Sequence, residues 1–167
     1  MLVIRCTKKL LKKNPGSENA REDTLVPTLG GWHANLVWLA HSPVVLCVND
    51  NSLLAVLVPG RDFPNFGSAF QNRLTQRLRR LGLCEETISR ERAAMEIIKV
   101  QPSNSRSVLA SMNDFVRHLK FRGPDRFDFA QADALEDMLS KTPMGALEYS
   151  YPVEVAAAAF SNRESLR

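Results

Sequence analysis

The chain has 167 residues, with 22 Lys and Arg against 18 Asp and Glu, a formal net charge of +4, 44% hydrophobic residues and 24% charged ones. A chain of this size buries roughly two-thirds of its unfolded surface without metals or disulfides, which excludes a disordered, collagen-like or disulfide-scaffold protein. No apolar run approaches the ~20 residues of a bilayer-spanning helix, and Met1–Lys9 sets its apolar residues ahead of its charges, the reverse of a secretory signal, so a cytoplasmic protein without membrane attachment is expected.

Leu2–Cys6 suits a short strand, and Thr7 is placed to cap a brief helix over Lys8–Lys13. Asn14–Asp23 is polar, contains Pro and Gly and lacks apolar periodicity, so a mobile loop is expected near 14–31, with Pro27–Gly31 continuing it. Ala34–Ala40, Val44–Asn49 and Leu53–Val58 are three apolar runs whose connections are too short for parallel crossovers, which predicts an antiparallel meander. Phe66, Phe70, Leu74, Leu78 and Leu81 then recur at a helical period up to Gly82, a natural C-cap.

Glu85–Met95 predicts a shorter helix and Glu96–Val100 a further strand. Beyond Pro102, the residues Val108, Leu109, Met112, Phe115, Val116 and Leu119 draw an apolar stripe along a helix over 105–119. Ala132–Leu139 and Pro152–Phe160 predict two more helices, the last with Pro in its first turn. Strands first and mostly helices after predicts a single α+β domain over 1–160. Its antiparallel sheet of four or five strands would be covered by the 66–81 and 105–119 helices, with a helical C-terminal segment and a disordered tail at 161–167.

Arg73, Arg77 and Arg80 fall at i, i+4 and i+7 of the 66–81 helix, and Lys8, Lys9, Lys12 and Lys13 lie in a stretch with no acidic residue before position 14. Such groups attract phosphate backbones and define a candidate nucleic-acid surface. The competing reading is a solvated helix face whose charges are met by Glu85, Glu86 and Glu91. Charge is also unevenly spread: residues 1–126 hold 19 basic and 11 acidic groups (+8), residues 127–167 hold 3 and 7 (−4). An acidic C-terminal segment folded over the basic face would satisfy it internally.

Ser107, Ser111, Asp114 and His118 follow i, i+4, i+7 and i+11 on the 105–119 helix, so a nucleophile, an acid and a base are present in kind. Side chains along one helix do not converge on one reacting centre, which leaves a small hydrolase-like enzyme behind the binding readings. Trp32 and Trp38 bracket His33 and Asn35 in an apolar run. Asn35, Asn113 and Asp114 interrupt apolar elements and must find partners, which defines a polar cluster of Trp32, Asn35, Arg106, Asn113, Asp114 and His118. It would either tie helix to sheet, with Arg106 as the ionic partner, or line a ligand pocket. His33 and His41 are eight apart with no third ligand, and neither a P-loop nor GxGxxG occurs, so no metal and no cofactor is expected. Cys6, Cys47 and Cys84 show no CxxC pairing and read as three structural thiols of a reducing compartment.

Read together, Met1–Leu11, Trp32–Leu36 and Arg106–Phe115, with Ser111-Met-Asn-Asp-Phe115 the most specific part, resemble a bacterial family of small stand-alone proteins classed as a domain of unknown function. The resemblance covers most of residues 1–160, and Gly16–Asp23 is longer than it implies. It implies a fold unit and no catalytic residue. The functional expectation is therefore a non-enzymatic interaction or regulatory protein acting through a protein partner, with a nucleic-acid-binding module second.

Overall fold

The computed structural model describes residues 1–13, 25–122 and 128–165; the expected loop at 14–24 lies outside them. Five strands, β1 (Leu2–Cys6), β2 (Trp32–Leu39), β3 (Ser42–Asn49), β4 (Ala55–Pro59) and β5 (Ile98–Pro102), form one sheet in the order β4-β3-β2-β1-β5. The meander β2-β3-β4 is antiparallel, as its short connections require. Ala40 and His41 turn the first hairpin, both at positive φ (43° and 68°), the geometry that matches the twist of paired strands.

The sheet as a whole is mixed, which corrects the all-antiparallel expectation. β1 runs parallel to both β2 and β5. The stretches of chain that separate β1 from β2 and β1 from β5 are long enough for crossovers, so the short-connection rule never applied to those pairs.

Among the described residues, six α-helices pack on the two sheet faces: α1 (Lys8–Leu11), α2 (Phe66–Arg80), α3 (Glu85–Ala94), α4 (Arg106–Arg122), α5 (Ala132–Ser140) and α6 (Pro152–Ser165). Strand alternation divides the core. Leu2, Ile4, Trp32, Ala34 and Val56 point to one face, where Phe66, Phe70, Leu74 and Leu78 of α2 meet them together with Ile88 of α3 and Phe160 of α6. Val37, Leu46, Val48 and Leu57 point to the other, beneath Met112, Phe115 and Leu119 of α4 and Leu135 and Leu139 of α5. More than two helices therefore cover the sheet. The C-terminal helix also continues to Ser165, past its expected end and into the tail expected to be disordered.

Gly82, at φ +80°, ends the turn after α2 where a side chain would be strained. Among the described residues no helix is long and apolar enough to cross a membrane.

Candidate functional site

The polar cluster read from sequence is not gathered in one place. Trp32 and Asn35 are an odd number of residues apart on β2, so they face opposite sides of the sheet. Trp32 is fully buried against Phe70, ring centroids 5.1 Å apart, while Asn35 Oδ1 accepts from Thr7 Oγ1 at 2.9 Å. Thr7 thus ties β1 to β2 with its hydroxyl and makes no cap bond to α1. On α4, Arg106 and Asn113 are exposed. Asp114 accepts from Arg117 Nη1 at 3.1 Å, neither from Arg106 nor from His118. Arg106 is seven and eight residues from Asn113 and Asp114, two turns along the helix, which explains why it ties neither of them.

A different polar group is assembled at the start of β2. Arg5 and His33 sit opposite each other on neighbouring strands, and Asp50, just past β3, bridges them. Its Oδ1 lies 2.6 Å from His33 Nδ1, and its Oδ2 accepts from Arg5 Nη1. A carboxylate on Nδ1 orients the ring and leaves Nε2 as the free nitrogen, but His33 is 1% exposed and Nε2 is buried without a partner among the described residues, so the ring is placed as structure. Gly31 makes the bridge fit, since a Cβ there would come within 2.6 Å of both Arg5 Nη1 and Asp50 Oδ2. Asn49 secures the same corner. Its Nδ2 donates to Leu29 O (2.8 Å) and Gly31 O (2.9 Å), while its Oδ1 accepts from Ser52 N (2.9 Å), Ser52 Oγ (2.8 Å) and Asn51 N (3.2 Å). His41 sits at the far end of the strand, eight residues or about 26 Å of extended chain away. Among the described residues no three His, Cys, Asp or Glu side chains are grouped to hold a metal.

The arginine stripe of α2 faces carboxylates of the chain's own acidic segment. Arg73 Nη2 donates to Asp133 Oδ1 (2.9 Å) and Glu136 Oε1 (2.7 Å), Arg80 pairs with Asp133 and Glu136, and Arg77 pairs with Asp137 and Ser140. The acidic partners come from α5, whereas Glu85 pairs with Arg79 at 2.7 Å, Glu86 with Arg90, and Glu91 accepts from Thr28 N at 2.8 Å. Burial alone would lower the Arg73 guanidinium, but Glu136 and Asp133 beside it hold it above its ordinary value. The network also covers the middle of a sheet edge. Glu136 Oε1 accepts from Leu57 N at 2.8 Å and Arg73 Nε donates to Leu57 O at 3.1 Å, satisfying the outward N–H and C=O of Leu57 in the middle of β4. With α2 on one face and α5 on the other, these side chains close the two helical layers around that edge. A continuous basic surface from α2 to the exposed Lys8, Lys9, Lys12 and Lys13 is accordingly not formed, because its three arginines are turned to α5.

Glu136, Asn49 and Asp50 are the organising polar residues that sequence reading passed over. One signal for Glu136 was present. Asp133, Glu136, Asp137 and Ser140 repeat at i, i+3, i+4 and i+7, a stripe that matches the arginines in length and opposes them in charge.

A family model described as Domain of unknown function (DUF6933) matches residues 3–155. The chain belongs to this family. No curated protein and no solved structure matches. In this DUF6933 chain the family match includes both the Asp50 corner and the arginine–carboxylate network.

Two further features bear on chemistry. Burial pushes the Cys6 thiol up to about 12 and raises Cys47 well above its ordinary value, while Cys84 is exposed. At pH 8 only about one Cys6 side chain in 10⁴ is then thiolate. Mass spectrometry after brief iodoacetamide treatment at that pH is expected to find Cys84 alkylated, with Cys6 and Cys47 modified only in urea; early labelling of Cys6 would contradict its placement. Finally, a cleft opens between the segment before β2, α3 and α6. Leu25, Val26, Ala94 and Phe160 give it apolar walls, and Arg90 and Arg163 stand on its rim. Arg163 Nη1 pins the segment by donating to Val26 O (3.1 Å) and Thr28 Oγ1 (3.0 Å).

Proposed function

We propose that this protein is a non-enzymatic intracellular interaction module that acts through a protein partner seated at the cleft between Val26 and Phe160. The observation that carries this reading is apolar surface held in fixed geometry: Leu25 and Val26 are 66% and 64% exposed, on a segment tethered by Arg163 and by Glu91. Exposed branched aliphatic residues beside a cleft with a charged rim have the composition of an interface core and its border. The nucleic-acid alternative is weakened by the internal pairing of Arg73, Arg77 and Arg80, and the enzyme alternative by the engagement of Asn35 with Thr7 and of Asp114 with Arg117.

The test is a photo-crosslinking residue at Arg90, on the cleft rim, used in the cell that produces the protein. A discrete protein adduct is expected that disappears in the Leu25→Asp and Val26→Asp variants and is absent when the crosslinker replaces the exposed Glu154. Adducts that survive both aspartate variants, or that are removed by nuclease, would overturn the reading.

A further inference from the structure

β5 is the outer strand opposite β4, and its hydrogen bonding leaves one side open. Leu2 N donates to Ile97 O (2.8 Å) and Ser103 N to Cys6 O (3.0 Å), and Leu2 and Ile4 stand opposite Ile98 and Val100. In a parallel ladder of this register the odd-numbered residues of β5 bond to β1. Ile98 and Val100 therefore turn their N–H and C=O groups outward, where no partner meets them among the described residues. On the β4 edge the corresponding outward peptide, at Leu57, is occupied by Glu136 and Arg73. Among the described residues, the β4 edge thus has a residue whose outward N–H and C=O are met by side chains, and the β5 edge has none.

Side chains around the open edge define what it would take. Lys99 is exposed between Ile98 and Val100, on the sheet face that also carries Gln101 and, one strand in, Arg5. Ile98 and Val100 point to the opposite face and join its apolar core. A second copy of the chain fits poorly. The antiparallel register that uses both open residues sets Ile98 against Val100 and puts Lys99 directly opposite Lys99, a repulsive pair. Shifting so that Val100 faces Val100 puts Ile98 against Pro102, which has no N–H to give.

We propose that the β5 edge accepts an extended segment of a partner protein by strand addition, with an acidic residue opposite Lys99 and apolar residues opposite Ile98 and Val100. Backbone groups supply the bonding, and Lys99 supplies both the selection for acid and the rejection of self-pairing. This surface is separate from the cleft proposed above, since no residue of β5 lines it.

The probes are two acetylated heptapeptides, one alternating Val with Glu and one alternating Val with Lys, added to the full-length protein while amide exchange is followed by NMR. With the acidic peptide at about nine times its Kd, exchange at Ile98 and Val100 is expected to slow about tenfold, with the Leu57 amide unchanged and the basic peptide without effect. Lys99→Glu should reverse the preference between the peptides. Val100→Pro, which removes an outward N–H and no bond to β1, should abolish protection while leaving the far-ultraviolet circular dichroism intact. Equal protection by both peptides, no protection by either, or protection that rises with protein concentration alone would overturn the proposal. Retention of the cleft adduct in Lys99→Glu separates failure here from failure of the cleft reading.

Discussion

Glu136→Ala is expected to destabilise the fold by about 3–5 kcal/mol, read as a fall in the urea midpoint at nearly constant slope. The side chain is fully buried and serves the Leu57 amide, Arg73 and Arg80 together. Removing it strands two guanidinium groups and a backbone donor, and the cost of uncompensated buried charge exceeds whatever net gain the pairs made. The Leu57 amide should also lose its exchange protection, because its acceptor is gone. Asp133 provides the contrast: it is half-exposed, and Asp133→Asn should cost no more than about 1 kcal/mol. If Glu136→Ala and Asp133→Asn proved equally mild, the β4 edge would not owe its closure to this network.

The second large effect belongs to Asn49. Asn49→Ala removes two donors to the carbonyls of Leu29 and Gly31 and an acceptor shared by Asn51 and Ser52, which should cost about 2–4 kcal/mol in the same urea experiment. Asn49→Asp separates the two halves of the role. It keeps the acceptor but turns a carboxylate toward two carbonyl oxygens, so it should be at least as damaging as alanine. A near-neutral Asn49→Asp would show that the donors to the 29–31 segment do not hold it. Because Asp50 follows directly and bridges Arg5 to His33, loosening Asn49 should also weaken that bridge, visible as altered His33 ring resonances.

The two residues have the same physical origin. Each sits where the chain must satisfy backbone groups that its own strands leave open: Glu136 at an outer strand, Asn49 where a loop enters the sheet. Hydrophobic burial fixes neither place, since both helical layers would still bury their apolar faces with those peptides unpaired. The contrast with β5 follows from this, as it is an edge for which no described residue supplies a side-chain acceptor or donor.

Local patterning carried much of the architecture. Leu2–Cys6 as a strand, the β2-β3-β4 meander, the apolar stripes of α2 and α4 and the stop at Gly82 all follow from side-chain period and turn chemistry, which act over a few residues. Strand alternation was equally readable and separates Trp32 from Asn35 without any structure. The helical wheel also places the arginine stripe of α2 only about 75° from its apolar stripe, nearer the core than a nucleic-acid face would sit.

The partners of those arginines were a different matter. The sequence alone established an α+β chain with opposed charge in its two parts and an apolar stripe on each main helix, because those properties are sums or short-range periods. Only the tertiary structure decided that β1 lies parallel to two neighbours, that α5 returns across some sixty residues of sequence to Arg73, Arg77 and Arg80, and that β5 lies at the outside of the sheet opposite β4. Pairing between distant segments depends on the relative free energies of whole packings, in which the burial of Glu136 against Leu57 and two arginines is one joint outcome that no single stretch of sequence encodes.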